Sequence, residues 1–145
     1  MAGGKASTFE NDLLKLIFNA VAIANIADNA ATAPLTNLYL SLHTADPGAG
    51  GTQTSNEATY ASYARVAVAR TSGGFTVSGN SCVLANPATF PTPTGGAGEN
   101  EAFFAIGTAS SGSGKVLYRG PITPVIVIAV GTPPQLTTGT TVTEN

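Results

Sequence analysis

The spacing of the apolar residues changes once along this chain, near Pro34, and this change limits the folds that the chain can adopt. Before Pro34 the apolar residues recur at a helical spacing of about 3.6, whereas after it they alternate, as in Leu38, Leu40 and Leu42. The alternating segments are short and are separated by clusters of Gly, Pro, Asn and Asp. About eight or nine such segments after one helix predict a mainly β fold, a single β-sandwich or jelly-roll-like domain preceded by one N-terminal α-helix.

The helical segment is predicted over residues 8–28. Ser7 and Glu10 fit a capping box, and Asp28 and Asn29 stand where the helix should end. One apolar stripe on this helix is a candidate assembly interface; it consists of Leu13, Leu14, Ile17, Phe18 and Val21. The helix either packs on its own β-sandwich or docks on a partner subunit, and the sequence leaves both open. The chain is therefore divided into an N-terminal helical arm over residues 1–35 and a β-sandwich body over residues 36–145.

A turn signal follows the first strand and predicts a structural corner. It is formed by His43, Asp46, Pro47 and Gly48, in which the Asp46 side chain can bond the backbone ahead of the turn. Residues 47–59 then form a long loop with Glu57 as its charged residue. Loops of this length in compact domains are often functional or mobile.

The residue types that carry catalysis or bind metal are scarce in this chain. His43 is the only histidine and is expected to be a surface or turn-stabilising residue. Cys82 is the only cysteine and is expected to be a small, buried, apolar side chain. Glu99 and Glu101 would repel each other on one strand face, so a solvated hairpin is expected there rather than a glycosidase pair. The Gly-rich segment 107–115 lacks the spacing of a phosphate-binding loop and predicts a hairpin turn. We therefore expect no enzyme, no cofactor and no metal site.

Charge is also scarce, and this favours a role in assembly. Charged residues make up 10% of the chain and the net charge is −2, with no run of Lys or Arg, so nucleic-acid binding is not expected. The sequence contains no stretch of 18 apolar residues, so we expect no transmembrane helix. A polar, uncharged surface is easily desolvated because no ion must leave water. The composition thus favours permanent contact with neighbouring subunits.

Residues 38–48, with the sequence LYLSLHTADPG, resemble a segment that recurs in small virion structural proteins of tailed bacteriophages and prophages. The YASYARVAV segment at 60–68 follows in the order that this family shows, and residues 105–120 are similar to its central segment. Members are variously labelled tail-fibre, minor structural or capsid cement proteins. The resemblance implies a non-enzymatic virion protein that is assembled in the host cytoplasm.

Two virion roles follow from these observations. The first expectation is a capsid decoration or cement protein that binds the major capsid protein as a homodimer or homotrimer, because cement proteins gain avidity by spreading contacts over several subunits. The alternative is a tail, neck or fibre component, such as an adaptor or baseplate module. A carbohydrate-binding module is less expected because the chain has no Trp.

Overall fold

A computed structural model describes residues 4–30 and 33–145, so residues 1–3 and 31–32 of the predicted arm lie outside the described residues. The described chain is mainly β with one N-terminal helix and antiparallel sheets, which confirms the expected fold class. Its elements are α1 Ser7–Asn19, β1 Asn37–His43, β2 Val66–Ala69, β3 Phe75–Ser78, β4 Ser81–Leu84, β5 Ala88–Thr89, β6 Asn100–Gly107, β7 Val116–Val127, β8 Gln135–Leu136 and β9 Thr141–Thr143. The part of the chain that the structure describes contains no candidate membrane-spanning helix.

The chain forms two compact units, and the first contains the helix. It comprises the described parts of 1–36 together with 69–87 and 137–145, and its sheet has the order β3-β4-β9. Helix α1 packs on β3 and β4, where the Phe18 and Phe75 rings lie 4.9 Å apart. The side chains of Asn11 and Asn19 donate hydrogen bonds to the carbonyls of Gly79 and Phe75. The helix therefore packs in cis, within its own unit.

The helix is shorter than the predicted range of 8–28. It ends at Asn19 because Ala20 adopts a left-handed conformation with φ +55°. The guanidinium of Arg70 then donates hydrogen bonds of 2.7 Å to the carbonyls of Leu16 and Ile17, which a longer helix would have used internally. The N-terminal prediction was also inexact, since the N-cap residue is Ala6 and makes no side-chain cap bond. Tertiary contacts to Arg70 thus override the local helical pattern.

The second unit comprises residues 37–68 and 88–136 and contains a four-stranded sheet of order β2-β1-β6-β7. Strands β1 and β6 pair in antiparallel register, with Leu40 opposite Ile106 and Leu42 opposite Phe104. All four of these side chains are buried. Strands β6 and β7 form a hairpin joined by residues 108–115, so the hairpin turn predicted for 107–115 is confirmed. The two-stranded sheet of β5 and β8 belongs to the same unit.

Candidate functional site

The loop that follows β1 has a defined conformation, and we call residues 44–59 the corner loop. Its first turn is at Asp46, whose Oδ1 accepts a 2.8 Å hydrogen bond from the N–H of Gly48. Gly48 has a φ of +80°. The Arg119 guanidinium lies 2.5 Å from both carboxylate oxygens of Asp46. Position 51 accepts only glycine, because a Cβ on Gly51 would lie 1.9 Å from the carbonyl oxygen of Pro47. Local hydrogen bonds and glycine backbone therefore shape the first half of the loop.

His43 lies beneath the corner loop and not at the surface, so the surface alternative for this residue was wrong. It is fully buried, and its Nδ1 lies 2.9 Å from the carbonyl oxygen of Ser55. Since a carbonyl can only accept, Nδ1 carries the proton, and Nε2 accepts the hydrogen bond from the Ser41 hydroxyl at 2.8 Å. Burial lowers the pKa of His43 and outweighs the opposing effects of Ser55 and Glu57. His43 is therefore a neutral side chain that holds the corner loop.

Gln53 connects the corner loop to the loop of residues 108–115, which we call the hairpin loop. The side chain is fully buried, its Nε2 donates to the carbonyl of Tyr39 at 3.3 Å, and its Oε1 accepts from the N–H of Ala109 at 3.0 Å. The backbone N–H of Gln53 donates to the carbonyl of Gly114 at 2.9 Å. One side chain thus satisfies polar backbone groups of both β1 and the hairpin loop.

An ion pair between Arg65 and Glu57 joins the same two loops. Arg65 Nε and Nη2 lie 2.6 and 2.8 Å from the two carboxylate oxygens of Glu57, and the Arg65 side chain is 2% exposed. The remaining guanidinium donors reach the carbonyls of Ala109 and Gly112 at 3.0 and 2.7 Å. The hydroxyl of Tyr63 donates to Glu57 as well, at 3.0 Å. This bidentate geometry fixes orientation as well as charge.

Sequence reasoning missed Gln53, Glu57 and Arg65 as the residues that organise this end of the second unit. A signal was present for two of them, because charge is scarce in the chain. Glu57 is the one charged residue in the sequence of the 47–59 loop, and Arg65 is a charged residue within a strand-like segment. Nothing in the local pattern marks Gln53, whose role depends on chain segments far from it in sequence.

The acidic pair near the start of β6 is not a solvated hairpin, so that prediction was wrong for Glu101. Glu101 is fully buried on β6, where it pairs with Ile126 of β7, whereas Glu99 is partly exposed and accepts hydrogen bonds from Thr59. Burial first, and the neighbouring Glu99 second, raise the pKa of Glu101 to about 8. Burial alone would raise the pKa of Glu99, but the hydrogen bonds from Thr59 lower it below its usual value.

The residues of the predicted assembly interface on α1 fall into two groups. Leu14 and Phe18 are fully buried inside the first unit. Leu13 and Ile17 are half-buried, and Val21 is 50% exposed just after the helix. A partner could reach only the second group in this structure, and the assembly role of the stripe stays a prediction.

The second unit carries an exposed apolar surface of its own on the edge strand β7. Val125 and Val127 point to the same side of the strand and are 44% and 61% exposed, and Val130 beyond the strand is 57% exposed. No residue of β7 is fully buried. We call Val125, Val127 and Val130 the β7 valine surface.

The chemistry available to the described residues is limited. Residues 4–30 and 33–145 contain no group of three or more His, Cys, Asp or Glu that could hold a metal ion. Cys82 is buried, as predicted, and burial raises the pKa of its thiol to about 12, so the reactive thiolate is suppressed. What the arrangement offers is a pair of loops joined by hydrogen bonds, together with exposed apolar side chains.

Comparison with known proteins matches the chain to one family model. A family model described as "Podophage GP4 fiber I protein gp80" matches residues 5–144. No curated protein matches the chain. The matched range includes α1, the strands β1 to β9, the corner loop and the hairpin loop.

Proposed function

The chain belongs to the family of the podophage GP4 fiber I protein gp80 and is a phage virion structural protein, and from this premise we propose that it is a non-enzymatic fibre subunit. The match over residues 5–144 is the observation that carries the proposal. It favours the tail, neck or fibre alternative over capsid decoration, which was the first expectation from the sequence. Binding to the major capsid protein stays a prediction.

The two cross-connected loops support a structural role. A subunit that contacts partners through loops loses less conformational entropy on assembly if those loops are already ordered. The corner loop and the hairpin loop are ordered by the Arg65–Glu57 pair and by Gln53, each of which contacts both. We propose that they present a preformed surface to another virion subunit.

The exposed valines support the assembly part of the proposal. Each exposed apolar side chain gains free energy when a partner covers it, at roughly 25 cal/mol per Å². The β7 valine surface is uncharged, so covering it removes no ion from water. We propose that this surface contacts a second copy of the chain or another virion protein, in keeping with the expected homodimer or homotrimer.

Copy number in purified particles tests the proposal. Quantitative mass spectrometry would count this chain against the major capsid protein. A fibre subunit should be present at a few per cent of the capsid protein, because fibres occupy few symmetry positions, whereas a cement protein should reach a ratio of about one third to one. The higher ratio would overturn the fibre proposal and favour capsid decoration. Antibody labelling of particles in the electron microscope would locate the chain independently.

A further inference from the structure

Two carboxyl groups lie close together where β6 begins. The Glu99 carboxylate accepts a 2.6 Å hydrogen bond from the N–H of Thr59 and a 2.7 Å hydrogen bond from the Thr59 hydroxyl. Glu101, two positions further, is fully buried, and neither of its carboxyl oxygens accepts a hydrogen bond from the described residues. The hydrogen bond between the two side chains raises the pKa of Glu101 and lowers that of Glu99, as expected if neutral Glu101 donates to the Glu99 carboxylate. No ion pair within the described chain includes Glu101. A buried carboxyl group in this position is stable only in its neutral form.

Among residues 4–30 and 33–145, the charged group that shifts the pKa of Glu101 is Glu99, which is negative. Glu99 approaches from its own segment, and its negative charge opposes ionisation of Glu101. Tyr60 faces the pair from the segment after the corner loop, and its hydroxyl donates to the carbonyl of Pro91 at 3.1 Å. From β7, the residue paired with Glu101 is Ile126, which is apolar. Burial, Glu101 and Glu99 together raise the pKa of Tyr60 to about 12, so Tyr60 stays neutral as well.

The segment of Thr59 and Tyr60 lies directly against its neighbours. The N–H of Ala61 donates to the carbonyl of Gly95 at 3.2 Å, and a Cβ on Gly96 would lie 2.8 Å from the Cα of Tyr60. An ionised Glu101 needs water, and water can reach it only if the packed groups around it separate.

We propose that Glu99 and Glu101 form a carboxyl latch, in which neutral Glu101 stays buried beside ionised Glu99 and the loss of its proton loosens the Thr59–Tyr60 segment from Glu99. The direction of the pH effect follows from the raised pKa. The folded chain holds a proton that the unfolded chain releases near the usual pKa of 4.5. The stability that this proton contributes is complete below pH 4.5 and is lost as the pH rises through about 8.

Thermal unfolding of the whole chain tests the latch. The chain, the E101Q variant and the D12N variant would be compared at pH 6.5 and pH 9. Gln is an uncharged match for the neutral acid, so the melting temperature of the original chain should fall relative to E101Q by about 5 °C over this range. D12N removes an exposed carboxylate from α1 and should follow the original chain. Equal pH dependence of the original chain and E101Q would overturn the proposal.

Because the melting temperatures of the original chain and E101Q are compared at the same pH, the effects of other titrating groups such as Cys82 cancel in the difference.

Hydrogen exchange of the Thr59 amide tests the loosening itself. After correction for intrinsic exchange, its rate should rise about tenfold between pH 7 and pH 9 in the original chain and stay constant in E101Q. Unchanged protection of this amide would overturn the latch. A rise in melting temperature on adding Ca²⁺ at pH 9, seen in the original chain and absent in E101Q, would overturn it in favour of a cation site.

Discussion

The carboxamide of Gln53 lies in the space that a side chain at Gly107 would occupy. A Cβ on Gly107 would lie 2.1 Å from the side-chain amide carbon of Gln53, and a Cβ on Gly114 would lie 2.2 Å from its Oε1. Glycine is therefore required at the end of β6 and at position 114 of the hairpin loop, because both positions pack against one buried side chain. Gln53 of the corner loop thus packs directly against Gly107 and Gly114, and neither glycine position has room for a side chain.

Gly107→Ala should destabilise the chain by about 1–3 kcal/mol, because the added methyl group overlaps the buried Gln53 amide. Gly50→Ala is the matched control, since a Cβ there meets no atom within 4 Å, and it should change stability by less than about 0.5 kcal/mol. Urea unfolding measures both. In a Gln53→Ala background the Gly107→Ala substitution should cost less, and an equal cost in both backgrounds would disprove the packing argument.

Arg65→Met should cost about 3–5 kcal/mol of folding free energy, because it leaves the part-buried Glu57 carboxylate without its positively charged partner. The same substitution at Arg119 removes a pair with Asp46 whose side chains are 32% and 43% exposed, and it should cost about 1 kcal/mol or less. Chemical denaturation of the two variants makes the comparison. Similar costs at the two positions would show that burial does not set the strength of these pairs.

The buried His43 should make the chain less stable in mild acid. Burial lowers the pKa of His43 below its usual 6.5, so the stability contributed by the neutral ring is present above pH 6.5 and is lost as the pH falls below it. His43→Gln removes this titration. The stability difference between the original chain and His43→Gln, measured by urea unfolding, should shrink from pH 7 to pH 5. A difference that stays constant would mean that His43 keeps its charge state on unfolding.

Val127→Asp should block incorporation into particles while leaving the isolated chain folded. Val127 is 61% exposed, so a carboxylate there stays solvated in the free subunit but would be buried without a partner in an assembled one. The melting temperature of the isolated chain and the amount of the variant in purified particles give the two readouts. Ser72→Asp, which adds the same charge at an exposed position in the turn before β3, should assemble normally. Normal assembly of Val127→Asp would exclude the β7 valine surface as an interface.

The sequence was sufficient to predict the class of fold and most strand positions. Alternation in 38–42 led directly to β1, because its apolar residues face a buried side, and the glycines of 107–115 led to the hairpin between β6 and β7. These features are local, and local spacing and turn chemistry determine them.

The end of α1 and the burial of Glu101 could not be predicted because distant residues decide them. Arg70 is 51 residues beyond Asn19 in the sequence, and it takes the carbonyls that would have continued the helix. Glu101 faces Ile126 of β7 and lies near Tyr60, and the alternation of one segment does not show which distant residues will face it. The contacts of Gln53 could not be predicted for the same reason, since its partners lie in β1 and the hairpin loop, far from it in sequence.

The first unit is discontinuous in sequence, and this affects the order in which the chain can fold during synthesis. Its sheet needs β9, and the Lys5 ammonium lies 3.0 Å from the Glu144 carboxylate. A ribosome releases the chain from its N-terminal end, so α1 must wait for residues 141–144 before its unit can close. A chain cut short before β9 leaves the edge of β4 unpaired. Only subunits translated through Glu144 can therefore complete the unit that contains the helix.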